Sequence, residues 1–263
     1  MDLNVYSRWM SDNRYNLLFT KEFIFFYGQR YIFMLTNSTY LSFLFYDFIF
    51  FFLMIVAFRN YNLPLYAYVV IIIFPPFFLG SQNIIRQNYA AVLIMFAVSL
   101  SGTYRKFFLL VTSAFIHNIS AIFLVLITTT RRRFFLACIY LSGCFLIIHK
   151  FYSSKVAINT GSDLSLVLLM LTLLILTLTW KLNVTISKYF VYIQFMVVTY
   201  LAFILSPGEI ERLCYFVLLI NYPMIIRIIE KFAPQQFLRL LFVLANSVVI
   251  FYGPQAGIFL FQT

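Results

Sequence analysis

Arg86 and His117 are the side chains best placed to do chemistry, because their surroundings are so apolar. Arg86 stands in Ser81-Gln82-Asn83-Ile84-Ile85-Arg86-Gln87-Asn88-Tyr89-Ala90, at the head of one apolar stretch. His117 stands in His117-Asn118-Ile119-Ser120-Ala121, inside the next. A guanidinium is a planar fork that grips phosphate oxygens in pairs. Near a helix start, with Ser81 and Asn83 as candidate caps, unpaired N–H groups and the helix dipole would add to its hold on an anion. Imidazole titrates near neutrality and can take a hydroxyl proton or hold the hydroxyl by a hydrogen bond. The pair suits a reaction in which an anionic group leaves and a hydroxyl attacks. Each residue also has an ordinary role open to it. An arginine can snorkel to headgroups, and a histidine beside Asn118 and Ser120 can tie two helices together.

Other candidates are weaker. Arg212 could be a second anion ligand, although an interfacial ion pair near Glu209 and Glu211 explains it equally well. Glu22 could act as a base on the acceptor side or be a solvated loop charge. Gln87, Asn118, Asn88 and Gln194 could line a groove, yet amides also pack helices. Asp47 lies inside an apolar run, where Tyr46 or Tyr40 could partner it in helix packing. His149, beside Lys150, reads as an interfacial residue. The sequence has no Walker loop, GxGxxG, CxxC pair or HExxH, so nucleotide use and zinc catalysis lack support. Without a carboxylate cluster for Mg²⁺, the chemistry is expected to need neither metal nor cofactor.

The elements that must position these residues follow from composition. The chain is 63% hydrophobic and 10% charged, with a mean hydropathy of +0.93. Such a chain belongs in a bilayer, where an ionisable side chain at a helix centre costs at least ~2.5–3.5 kcal/mol unless partnered or hydrated. Apolar runs fit spans at 41–58, 64–80, 84–100, 107–127, 134–149, 164–180, 189–205, 213–229 and 237–252. The expected fold is therefore all-α: a polytopic transmembrane bundle of eight or nine spans. Residues 1–40 form an extracytoplasmic or interfacial segment in which 23–35 makes an amphipathic helix. Residues 41–263 form a single membrane domain. Pro75-Pro76 must break the second span. Ser206-Pro207-Gly208-Glu209 reads as a capped helix start. Cys138, Cys144 and Cys214 sit in apolar segments and are expected as free thiols.

Residues 107–127 fit two arrangements: one span with His117 at mid-bilayer, or two half-helices re-entering from one side. Lys and Arg number 19 against 8 Asp and Glu. In a chain this apolar, that excess points to cytoplasmic loops and anionic headgroups, not nucleic acid. With the hairpin and an outside N-terminus, 11 of the 19 basic residues are cytoplasmic. A single span with the N-terminus inside places 13 there. Both arrangements put Arg131-Arg132-Arg133 in the cytoplasm.

Arg86-Gln87 with Ala90, then the basic turn Arg105-Lys106, then His117 followed by Ser120-Ala121, resembles in order and spacing the EpsG-like family of Wzy-type bacterial polysaccharide polymerases. Asp2, Tyr6, Trp9 and Lys21-Glu22-Phe23 are similar to that family's short extracytoplasmic segment. Arg212 with Tyr215 is similar to a later Arg–Tyr position. The family's usual apolar helix ahead of this segment has no counterpart in these residues, which leaves the side of residues 1–40 open.

The resemblance implies a metal-independent glycosyltransferase in the bacterial cytoplasmic membrane. Its reaction would join undecaprenyl-diphosphate-linked oligosaccharide repeats at the outer face, building O-antigen, capsule or exopolysaccharide. His117 and Glu22 would be catalytic, and Arg86, Gln87, Arg212 and Asn118 would bind substrate. Partners would be the lipid-linked oligosaccharides, membrane lipids, and flippase and chain-length regulator proteins. A flippase of lipid-linked sugars, or a non-catalytic partner in a synthesis complex, is the alternative.

Overall fold

The computed structural model describes residues 10, 22–78, 85–127, 162–183, 188–203, 205–232 and 235–252. Among these the fold is all-α. The helices are α1 (Phe23–Thr36), α2 (Thr39–Asn60), α3 (Leu65–Ile73), α4 (Ile85–Ser99) and α5 (Thr103–Ile116). A 3-10 segment, Asn118–Ile127, follows. Then come α6 (Ser162–Lys181), α7 (Lys188–Ala202), α8 (Pro207–Ile220), α9 (Tyr222–Lys231) and α10 (Gln235–Tyr252).

Of the described helices, α2 alone is long and apolar enough to cross a bilayer unaided; a second would be α8 with α9, if that bent pair counts as one span. Its 22 residues rise about 33 Å, against a hydrocarbon core of ~30 Å. Ser38 opens it, its Oγ accepting the Leu41 N–H at 3.3 Å, after Asn37 turns the chain through φ 51°. The expected span at 134–149 lies outside the described residues, as do Arg131-Arg132-Arg133 and His149.

Several apolar runs are interrupted. The run at 64–80 breaks as the prolines require: α3 ends at Ile73, Phe74 is extended, and helix resumes at 75–78. The expected straight span at 213–229 is corrected. The helix starts earlier, at Pro207, and bends by 60° at Asn221. Pro223, in the first turn of α9, lacks an N–H to continue the ladder. The buried Asn221 amide is drawn aside, donating to Val217 O at 2.8 Å and to Gln194 Oε1. The start itself is capped as read: the Ser206 N–H donates to Glu209 Oε2 at 3.1 Å. In 107–127, α5 stops at Ile116, His117 is extended (φ −149°, ψ 123°), and the 3-10 segment packs back against α5.

Helix α4 organises the bundle. It is buried on nearly every face, and Ala90, Ala91 and Ala97 leave room for neighbours to approach. It runs parallel to α2, because Tyr89 pairs with Asp47, Tyr61 with Met95 and Asn60 with Ser99. Tyr89 lies level with Asp47, so Arg86 sits about 8 Å below the first residue of α2, at 1.5 Å per residue. Helix α5 returns antiparallel to α4 after a three-residue turn. Their lengths, 15 and 14 residues, bring the head of α4 and the tail of α5 to one level. That match is what sets Arg86 beside His117.

The opposite end of the bundle is basic. Arg227 donates to Tyr61 O at 2.9 Å, Lys231 to Leu182 O, and Arg239 pairs with Glu230, which also accepts from Tyr66. These contacts, with the Asn60–Ser99 bond, gather the ends of α2, α4, α6 and α9. With them come Arg59, Arg105, Lys106, Lys181 and Lys188.

Candidate functional site

Glu22 is the residue around which the site is built. It precedes the first turn of α1 and is buried against the heads of α4 and the 3-10 segment. Its Oε2 accepts from Arg86 Nη1, and its Oε1 meets His117 Nδ1 at 2.7 Å. One carboxylate thus bridges two groups that lie 64 and 95 residues away along the chain. The expected alternative, a solvated loop charge, is replaced by a buried ion pair. Burial pushes the Glu22 carboxyl up, but the His117 hydrogen bond, with the His117 and Arg86 charges, holds it below the usual carboxylate value of 4.5. Glu22 is therefore ionised at neutral pH and can only accept. Against an ionised carboxylate the His117 Nδ1 is the donor, and the ring turns Nε2 away from Glu22. Among the described residues Nε2 makes no hydrogen bond.

Apolar walls flank the pair. The guanidinium carbon of Arg86 lies 5.6 Å from the ring centre of Phe26, one helical turn beyond Glu22. The rings of His117 and Phe216 meet in a T-shaped arrangement, their centres 6.5 Å apart. The Arg86 side chain is 34% exposed, against 9% for Glu22 and 15% for His117. The open side of the cluster is thus the arginine side. The backbone of His117 is fixed as well, its N–H donating to Ser113 O at 2.9 Å and its carbonyl accepting from Ser120 at 3.0 Å.

Behind the site is an aromatic stack. Phe50 and Tyr89 lie face to face at 4.3 Å, with Tyr46 and Phe25 packed against Tyr89. Tyr46 donates to Ile24 O at 3.2 Å, tying α1 to α2. Gly28 permits this close approach, since a Cβ there would lie 1.7 Å from the Tyr46 hydroxyl. Asp47 takes its hydrogen bond from Tyr89, not from the expected Tyr46 or Tyr40. Tyr89 is one turn past Arg86, so this pair braces the helix that carries the arginine.

The other candidates lie at varying distances from this centre. Gln87 is half-buried beside Arg86, with its Oε1 buried and without a hydrogen bond. Asn88 instead donates to Phe77 O at 3.1 Å and ties the residues after the proline break to α4. Gln194 is buried in its pairing with Asn221. Arg212 is exposed in α8, without a hydrogen bond or ion pair to the cluster, and Glu211 is the charge beside it. It stands one turn before Phe216. Asn118 opens the 3-10 segment, and its side chain lies outside the described residues, as do the candidate caps Ser81 and Asn83. Phe26 and Phe216 were not singled out from sequence. The spacing Glu22 to Phe26 is the signal that could have found the first.

No family model, curated protein or solved structure matches this chain.

Proposed function

We propose that this chain is a polytopic protein of the bacterial cytoplasmic membrane, with eight or nine passes counting broken helices. In this reading it polymerises undecaprenyl-diphosphate-linked oligosaccharide repeats at the outer face. One observation carries the reading: Arg86, His117 and Glu22, singled out from three separate stretches, meet in one part-buried cluster. A cation for a diphosphate stands beside an imidazole oriented to receive a proton.

Orientation follows from charge. Arg59, Arg105, Lys106, Lys181, Lys188, Arg227, Lys231 and Arg239 share the end away from the cluster. Cytoplasmic loops are the basic ones, so the site opens outward, about 8 Å below the head of α2 at helical rise. The shared basic end favours the hairpin arrangement of 107–127. A single span would send Arg59 and Arg105 to the side opposite Lys181.

In the reaction, a sugar hydroxyl of one repeat attacks the anomeric carbon of another. The new C–O bond forms as the anomeric C–O bond to diphosphate breaks, and the electron pair leaves on the diphosphate oxygen. Arg86 stabilises that developing charge. His117 Nε2 takes the hydroxyl proton, and Glu22 holds the imidazole through Nδ1 and steadies its positive form. Glu22 is thus a positioning residue in this scheme. The proton then passes from the imidazolium to water or to the departed diphosphate. Arg212, exposed one turn before Phe216, is a second contact for an incoming anion, and Gln87, beside Arg86, lines the approach.

The 60° break at Asn221 favours a second reading, a flippase of lipid-linked sugars, since transporters use discontinuous helices at their sites. Purified protein in liposomes, given the undecaprenyl-diphosphate oligosaccharide as sole substrate, separates the two. Lengthened glycan supports the polymerase; transfer of the lipid across the bilayer without lengthening supports the flippase. Neither product would leave a partner role.

A further inference from the structure

The bridging carboxylate has two partners and can keep both only while no other anion claims the arginine. The open side of the cluster is the Arg86 side, while Glu22 and His117 lie deeper. An anion entering from that side reaches the guanidinium first. A diphosphate offers paired oxygens matched to the guanidinium fork and more charge than one carboxylate. It therefore competes with Glu22 Oε2 for Nη1 without touching the Oε1–Nδ1 bond.

We infer that Glu22 is an exchangeable counter-ion: a diphosphate bound at Arg86 displaces the carboxylate from arginine and leaves it to His117 alone. This inference rests on the polymerase reading and adds regulation to it. Before the donor binds, the Glu22 charge is shared with Arg86 and only part of it supports the histidine. Once the donor is bound, the whole carboxylate supports the imidazole, and the donor adds negative charge nearby. Proton removal from the acceptor hydroxyl is thereby switched on only when a leaving group is in place. No covalent step occurs in the exchange; one charge-assisted hydrogen bond is traded for others.

The test uses the full chain in nanodiscs with inorganic pyrophosphate as probe. Calorimetry gives its affinity, and ¹⁵N signals of the His117 ring report on its partner, with His149→Gln removing the only other histidine. Removing the Glu22 charge that competes for Arg86 Nη1 is expected to make Glu22→Gln bind pyrophosphate about tenfold more tightly than the parent. Glu22→Asp, which keeps the charge on a shorter arm, should fall between the two and covers the case in which Glu22→Gln does not fold. On saturation the His117 signals should move clearly further in the parent chain than in Glu22→Gln, where only the added charge of the probe acts on the ring. Equal or weaker binding in both variants overturns the exchange, as does binding by neither chain, binding retained by Arg86→Ala, or an equal signal change in Glu22→Gln. Glycan lengthening in liposomes is read separately. Exchange without lengthening sinks the polymerase alone, and lengthening without exchange sinks only this inference.

Discussion

Replacing Glu22 with glutamine tests whether the bridge holds the bundle together. The side chain is 9% exposed and makes two charge-assisted hydrogen bonds, each worth about 1.5–3 kcal/mol in mutational series. Three effects reduce the sum. Desolvating the carboxylate costs part of the gain, the 34% exposure of Arg86 screens its share, and the amide oxygen can still accept one bond. A net loss of about 2 kcal/mol remains, which for a chain of this size lowers Tm by ~4–8 °C. Acid dependence gives a second reading of the same bridge. The folded Glu22 carboxyl lies below the usual 4.5. Its contribution is therefore fully present above that value and fades as pH falls through the lower folded one. Thermal unfolding of the detergent-solubilised chain should show a gap between parent and Glu22→Gln at pH 7 that narrows under acid. Equal melting at pH 7, or a gap that persists unchanged into strong acid, refutes the bridge as an energetic contact.

Other outcomes follow from neighbouring contacts. Gly28→Ala places a methyl on the Tyr46 hydroxyl and should lower Tm clearly; adding Tyr46→Phe, which leaves ring carbon at 3.0 Å, should restore part of the loss. Tyr89→Phe removes the donor to Asp47 and should cost about 1 kcal/mol, the net worth of one hydrogen bond, since Asp47 is itself exposed; chemical denaturation measures it. Asn221→Ala strips the buried Gln194 Oε1 of its donor and should destabilise by ~1–3 kcal/mol, whereas Asn221→Leu with Gln194→Leu should recover most of it, because both polar groups go together. For sidedness, single cysteines at Thr36 and Ser101, with Cys138, Cys144 and Cys214 changed to alanine, should label differently in intact cells. Thr36→Cys should react from outside, and Ser101→Cys only after the membrane is opened.

Much of the site was legible because an apolar chain makes its few polar residues conspicuous. Arg86 and His117 stood out as polar groups without an obvious partner; that they meet was not legible, because 107–127 fits one unbroken run and only the end of α5 at Ile116 brings His117 level with Arg86. Pro75-Pro76 and the Ser206–Glu209 cap act within one turn, so local sequence suffices to read them. Pairings decided by packing were not legible. Nothing near Glu22 says that it reaches Arg86 and His117, because both contacts depend on how α1 lies across α2. Asp47 looked to Tyr46 and Tyr40 on its own stretch, while its true partner comes from α4. The bend at Asn221 needed Gln194 from a different helix, and Pro223 alone, in a helix's first turn, is an ordinary residue. Arg212 shows the converse: a charged residue in a suggestive string that the fold leaves outside the cluster.

The most direct measurement is glycan chain length made by Arg86→Ala in liposomes holding only the undecaprenyl-diphosphate repeat. The account predicts a ladder of products from the parent chain and none from this variant, with Arg86→Lys also severely impaired because a point charge lacks the paired donors. A ladder of normal length and rate from Arg86→Ala would contradict it.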